Sequence, residues 1–589
     1  MSQRIRSLLP TLLCMLFLPF CAIFIHPWAE MAQVDDFSYT RSAQLLAHTG
    51  HIVYNGWATA MLGWQLYLGA LMIKLFGFSM STLRVGTLLV AILVAALLQR
   101  LLVRMGTTPW NAAAITLTMM LSSTWLGVTF SFMSDIYGML VLFGCCYACV
   151  RALQASTPGR AAMWVCAAAL SNGVGGTARQ IAWLGVLVMV PCTLWLLRKN
   201  RLAAVTGLLC TMIGITTMIG FLHWFNQQPY ALAEHLLPPR IPGIKSLVII
   251  TIKFVVMTLL ETLLLAMPVL IVLSPTAFRS RKTRRVATSW ILLALLFVAG
   301  AALVHKERAW EIPYGYSNFT YYGFEYYQTF LGTPSLFLTP LLRHTFLVLL
   351  LAAQVGFIAV LFTSREPSTP RTDRPVTEPR TTLTTYELVV LLGPCTLAYL
   401  LLLLPRFSVV LLNIDRYILI PQFILLLAAV LLYQRHVSLR LPRTVWLSIA
   451  LFAAFYVAGL RDTFTLYQAQ VDTLQEVEHT GVPREAIDGG FAYNAWTQIM
   501  TAGYMNDSRL LHPANKYHYE TPVIDDACRT YAGDLVPVVH GRYAISMNPN
   551  SCGGATSFAP RHFSMLFAPH DRVFYIVKGP AWTKQTLLR

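Results

Sequence analysis

The chain has 589 residues, 56% hydrophobic and 12% charged, with a mean hydropathy of +0.58; a soluble domain carries roughly twice that charged share, so the composition excludes a soluble globular class and points to a polytopic membrane protein. Thirty-five Gly and 31 Pro exclude collagen-like and low-complexity chains, and 11 Cys, with a single CxxC (Cys146–Cys149) inside an apolar run and no second pair, offer no structural zinc site. A net charge of +18 is the usual footprint of nucleic-acid binding, so it has to be located before it is interpreted.

Apolar runs long enough to cross about 30 Å of hydrocarbon lie near 8–26, 83–103, 110–130, 136–153, 161–177, 180–197, 202–222, 246–273, 286–304, 344–363, 386–405, 418–434 and 444–460. The first follows Arg4 and Arg6 and reads as an uncleaved signal anchor. After it comes the acid pair Asp35-Asp36, then a stretch to His48 with Tyr39, Ala43 and Leu46 at i, i+4 and i+7, which predicts an amphipathic helix with the acids at its positive end. The run 58–77 carries Trp64, Gln65, Tyr67 and Lys74 and suits a helix lying along the membrane surface. Asp135 opens the span at 136–153. Arg84, Arg179 and Arg416 each adjoin an apolar run, a placement that calls for anionic partners such as phosphate, although snorkelling or pairing with Asp415 serves equally for any one of them. Glu261 lies mid-span, where an acid is either a functional group or a hydrogen-bonded structural one. The stretch 305–343 is dense in Trp, Tyr and Phe, as in an interfacial belt or a sugar-stacking cleft. Residues 364–385, rich in Pro and Thr, read as a flexible linker.

Beyond 460 the charges become ordinary and short segments such as Arg572–Lys578 alternate with turn residues. This predicts a small mixed α/β domain over 461–589, distinct from a membrane domain over 1–460. Cys528 and Cys552 lie in it, either as two buried thiols or as one loop-closing disulfide worth on the order of 3 kcal/mol.

The positive-inside bias decides the parity of the spans. With the N-terminus in the cytoplasm and 58–77 lying outside as part of the loop 27–82, every basic cluster falls on the inner side: 21 Lys and Arg there face only Glu366, Asp373 and Glu378. The rest of the chain then balances. This gives 13 spans and an outer C-terminal domain, turns the +18 into a topology signal, and removes nucleic acid from the list of partners.

Taken in order, these features resemble the GT-C glycosyltransferases, with the lipid A aminoarabinose transferases and protein O-mannosyltransferases as the most similar families. Asp35-Asp36-Phe-Ser-Tyr39 resembles their Asp-Glu-x-x-Tyr. Lys74-Leu-Phe-Gly77 through Arg84 resembles the segment before their second span, Asp135 stands where they carry a second acid, and Arg416-Tyr417 with Pro421 resembles their Arg-Tyr-x-x-Pro. Asn55-Gly-Trp-Ala-Thr-Ala-Met-Leu-Gly replaces their Lys-Pro-Pro or His-Pro-Pro, and Asp36 replaces their Glu. The resemblance implies transfer of a sugar from a polyprenyl-phosphate donor to an acceptor hydroxyl or phosphate on the outer face of a bacterial plasma membrane. It assigns Asp35, Asp36 and Asp135 to catalysis, with Asp35 as the base, and Tyr39, Arg84, Arg179, Arg416 and Tyr417 to substrate binding. Neither a metal nor another cofactor is expected, although the paired acids have the chemistry to bind Mg²⁺ or Mn²⁺. A secondary transporter or flippase is the competing class, suggested by Glu261 and the span count.

Overall fold

The computed structural model describes residues 3–33, 35–57, 63–231, 243–304, 330–332, 339–363, 382–410, 415–505, 528, 535–567 and 571–579. The expectations for the aromatic loop at 305–329 and the linker at 364–381 lie outside the described residues. The chain is predominantly helical: α1 Gln3–Ile25, α2 Asp36–Thr49, α3 Trp64–Phe76, α4 Met80–Arg104, α5 Pro109–Met120, α6 Ser123–Thr129, α7 Asp135–Leu153, α8 Pro158–Gly175, α9 Val190–Leu196, α10 Arg201–Asn226, α11 Ile244–Leu273, α12 Arg281–Val304, α13 Pro340–Phe362, α14 Thr385–Val410, α15 Leu419–His436, α16 Thr444–His479 and α17 Phe491–Thr501. All thirteen apolar runs are helical. Among the described residues nine helices are long and apolar enough to cross a membrane, and ten if α5 and α6 form one bent span. The protein is an integral membrane protein with a small sheet near its C-terminus.

Two of the runs are broken. Between α5 and α6 the axis turns by 73°, where Ser122 Oγ accepts from the amide of Trp125 at 3.2 Å and so starts a new helix. Ahead of α9, residues Gln180–Trp183 form a 3₁₀ turn and Gly185–Met189 a π-helical turn. Asn172, on α8, braces this break: its Oδ1 accepts from the amide of Val186 at 2.8 Å and its Nδ2 donates to the carbonyl of Ala182 at 3.0 Å. Such irregular backbone persists at membrane depth only when its polar groups are met by protein.

Helix α3 has 13 residues, or about 20 Å, short of the roughly 30 Å a span requires. It buries Leu66, Gly69, Ala70 and Ile73 and exposes Tyr67, Leu71, Leu75 and Phe76. Helix α4 starts where Ser79 Oγ accepts from the amide of Thr82 at 2.9 Å and where the Glu30 carboxylate accepts from the amides of Met80 and Ser81 at 2.8 and 3.2 Å. A carboxylate at this end also meets the helix dipole favourably.

At 36 residues, about 54 Å, α16 outruns any bilayer. It continues without a break across residue 460, and its last turns bury Leu466, Ala469, Leu474 and Val477 against a four-stranded sheet. The sheet order is β1 (Ile487–Asp488), β2 (Tyr543–Ser546), β4 (Arg572–Lys578), β3 (Arg561–Phe563). Strands β1 and β2 pair in parallel and the other pairs are antiparallel. Asp462 of α16 fastens this region, accepting from the amides of Leu566 and Phe567 at 2.7 and 2.9 Å. Cys528 and Cys552 are disulfide-bonded.

Candidate active site

Four chain segments remote in sequence converge at one end of the bundle: the start of α2, the start of α7, the turn between α8 and α9, and the turn entering α15. Asp35, the residue before α2, receives the indole N–H of Trp57 on Oδ1 at 3.0 Å and has Arg416 Nη2 3.6 Å from Oδ2. Its side chain keeps 24% of its surface exposed, enough for an incoming group to reach it. Trp57 is itself held between the rings of Phe37 and Phe491, 6.0 and 5.6 Å away.

Asp135, the first residue of α7, is 3% exposed. Its Oδ1 pairs with Arg179 Nη2 at 3.0 Å, and its Oδ2 is buried without a hydrogen-bond partner. Arg179 also donates from Nη1 to Ser134 Oγ at 3.1 Å, and the Tyr39 hydroxyl lies 3.4 Å from the same oxygen. Burial pushes the Tyr39 hydroxyl up to about 12, although Arg179 and Arg416 pull the other way. The Tyr417 ring has two guanidiniums near it, Arg179 5.4 Å and Arg416 5.5 Å from its centroid; cation–π attraction favours both contacts. Tyr399 fixes this turn by donating to the carbonyl of Tyr417 at 2.8 Å. Gly138, one turn into α7, makes room for Arg179: a Cβ there would lie 2.8 Å from that residue's Cβ.

Of the residues singled out from the sequence, Asp35, Tyr39, Asp135, Arg179, Arg416 and Tyr417 come together, whereas Asp36 and Arg84 stand beside the cluster. Asp36 is 2% exposed and turned inward, its carboxylate accepting from the amides of Gln33 at 2.6 Å and Phe132 at 3.1 Å. Burial pushes its carboxyl up to about 6 against the opposing pull of Arg84 and the two amides. Arg84, 1% exposed, donates to the carbonyls of Pro27 at 3.0 Å and Ala29 at 2.5 Å and also to that of Met31. It fastens the 27–31 segment to the head of α4. Trp57 and Ser134 belong to the site although the sequence reading passed over their roles; the only signal for Trp57 was its place in the Asn-Gly-Trp that departs from the family pattern. Glu261 is buried in α11.

Further along the same helices, Leu142 and Phe143 of α7, Met189, Leu392 of α14, and Ile420 and Phe423 of α15 line a small apolar void of about 10 Å³, room for about one water. Its α7 wall begins about 11 Å along the helix from Asp135, and its α15 wall follows directly after Arg416. Among the described residues no group of three or more His, Cys, Asp or Glu side chains is placed to hold a metal ion.

No family profile and no curated protein sequence matches this chain. Solved structures with some likeness include ArnT from Cupriavidus metallidurans bound to undecaprenyl phosphate, at 12% identity and a TM-score of 0.38, covering 96% of this chain and 98% of that one. The apo state of the same ArnT matches at 13% and 0.31, covering 80% of each chain. The Saccharomyces cerevisiae protein O-mannosyltransferase Pmt1–Pmt2 complex bound to the sugar donor matches at 13% and 0.32, covering 38% of this chain and 34% of that one. At these scores the likenesses carry no weight of their own, and the functional reading rests on the residues.

Proposed function

We propose that this protein is a GT-C-type membrane glycosyltransferase that moves a sugar from a polyprenyl-phosphate donor to an acceptor hydroxyl or phosphate, working at the outer face of a bacterial plasma membrane with its N-terminus in the cytoplasm. One observation carries the reading: two carboxylates and two guanidiniums from residues 35, 135, 179 and 416 meet at helix ends at one end of the bundle. Two guanidiniums side by side at helix ends suit the oxygens of a phosphate headgroup. The buried Nε of Arg416 and Oδ2 of Asp135 have no hydrogen-bond partners, and a buried polar atom left so calls for a ligand or water. The outer loop 27–82 and the region 461–589 would frame the acceptor side.

In this reading Asp35 is the general base. The acceptor O–H gives its proton to the Asp35 carboxylate as its oxygen bonds to the anomeric carbon; the bond from that carbon to the phosphate oxygen breaks, and its electron pair leaves with polyprenyl phosphate. Attack from the face opposite the phosphate inverts the anomeric centre. Arg416, 3.6 Å from Asp35, orients the base and, with Arg179, meets the charge that grows on the departing phosphate. Asp135, ion-paired to Arg179, fixes that guanidinium and leaves one oxygen for a substrate hydroxyl. Tyr39 and Tyr417 hold the two arginines in register. Asp36 and Arg84 act as positioning groups that set Asp35 at the mouth of the site.

The test is Asp35→Asn in membranes supplied with polyprenyl-phosphate sugars. Loss of a general base lowers rates by about 10²–10⁴-fold, so transfer by a variant expressed at the wild-type level should fall at least a hundredfold. Undiminished transfer would remove Asp35 from this role.

A further inference from the structure

Gln65 is 1% exposed, and neither its amide oxygen nor its amide nitrogen has a hydrogen-bond partner. An apolar residue would fill this interior position without leaving two polar atoms unpaired, and buried polar groups in folded chains are almost always met. The position is fixed from both sides. Just before it, the backbone at Gly63 lies so close to Ala178 that a Cβ would come within 2.8 Å of the Ala178 Cα. Trp64 donates to the carbonyl of Gly175 at 3.1 Å, and its ring sits 5.2 Å from that of Tyr137. One turn later, on Gln65's own face of α3, Gly69 leaves room for Phe132 and Ala43, which a Cβ would meet at 2.5 and 3.1 Å. The stretch of α3 that carries Gln65 is thus bracketed between the turn ending in Arg179 and the segment 132–137 that carries Ser134 and Asp135. The unpartnered Oδ2 of Asp135 belongs to that same segment.

We propose that Gln65 binds the sugar of the lipid-linked donor, pairing its amide with a ring hydroxyl; this rests on the glycosyl-transfer reading above. The chemistry selects the ligand. A phosphate oxygen accepts only and would leave the amide oxygen unmet, and a cation would leave the NH₂ unmet. A hydroxyl both donates and accepts and satisfies the two together. The donor's sugar is the hydroxyl-bearing group held beside Arg179 and Asp135, on the buried side of the cluster, whereas the acceptor reaches the more open Asp35.

The experiment measures binding to the full-length protein in detergent, using undecaprenyl phosphate and its glucose, mannose and galactose derivatives as probes for wild type, Gln65→Leu and Gln65→Met. Wild type is expected to bind at least one sugar-bearing lipid more tightly than undecaprenyl phosphate. Either variant should weaken that sugar-bearing lipid about tenfold, the scale of one hydrogen bond, while undecaprenyl phosphate binds within twofold of wild type. The ligand-free melting temperature should hold or rise, since an unpaired amide has been replaced by an apolar chain. The proposal is overturned if the variants melt lower yet bind both lipids as wild type does, which would assign the amide to an internal water. Equal weakening of both lipids also overturns it. If wild type binds none of the four lipids, the glycosyl-transfer reading itself fails, an outcome distinct from the other two.

Discussion

Arg179 owes its place to a missing side chain. Gly138 gives it room, and Asp135 and Ser134 hold its two terminal nitrogens. Gly138→Ala puts a methyl group 2.8 Å from the Arg179 Cβ, so the guanidinium must move. Because a displacement of about 1 Å at a reacting site can cost on the order of a hundredfold, we expect transfer to fall tenfold to a hundredfold while expression and melting temperature change little; an unchanged rate would show that the placement of Arg179 is not critical. Asp36 gives a pH test. Its carboxyl is raised from 3.8 to about 6 on burial, so folding disfavours its charged form. Its contribution to stability is therefore fullest below about pH 4 and is lost as pH rises through about 6, by roughly 3 kcal/mol in all. Asp36→Asn never ionises and leaves one amide poorly met. The variant should melt below wild type at pH 4, with the gap narrowing by pH 7, and a gap independent of pH would contradict the assignment. The sequence presented Asp35 and Asp36 as an equivalent pair. Only the fold separates them, because the partners that turn Asp36 inward include the amide of Phe132, nearly a hundred positions away.

At the level of elements, the apolar runs were legible because a span needs little beyond length and hydrophobicity, and α2 was legible from the spacing of Tyr39, Ala43 and Leu46, all three buried. Strand β4 coincides with the segment Arg572–Lys578 noted for its composition. The breaks were not legible. Residues 110–130 read as one apolar run, and the turn at Ser122 depends on a single side-chain cap; the π-helical turn depends on Asn172 from a neighbouring helix. The boundary at 460 marks a change in composition, whereas α16 carries on as an amphipathic helix whose apolar face meets the sheet. Asp462 should therefore couple the two regions. Asp462→Ala strands two backbone amides, at about 1–3 kcal/mol each, and is expected to speed proteolytic cleavage within 540–579 severalfold while α1–α15 stay protected. Cleavage at the wild-type rate would mean that the sheet is held by its apolar face alone.

Across the whole molecule, the excess of basic residues and the buried ionic cluster answer different questions. The first is spread over segments that the bias of charge assigns to the inner side. The second gathers Asp35, Asp135, Arg179 and Arg416 at one end of the bundle, where they pair with one another. Six of the eight residues picked out from the sequence meet there. The roles of Trp57 and Ser134 were not legible because they come from contacts with other segments rather than from local pattern. The most direct test of the account is mass spectrometry of membranes holding wild type or Asp35→Asn, incubated with a panel of undecaprenyl-phosphate-linked sugars. The account predicts that wild type releases undecaprenyl phosphate together with a product heavier by one sugar, and that Asp35→Asn at equal expression yields less than a hundredth as much. Failure of wild type to consume any lipid-linked sugar, or equal product from the variant, would contradict it.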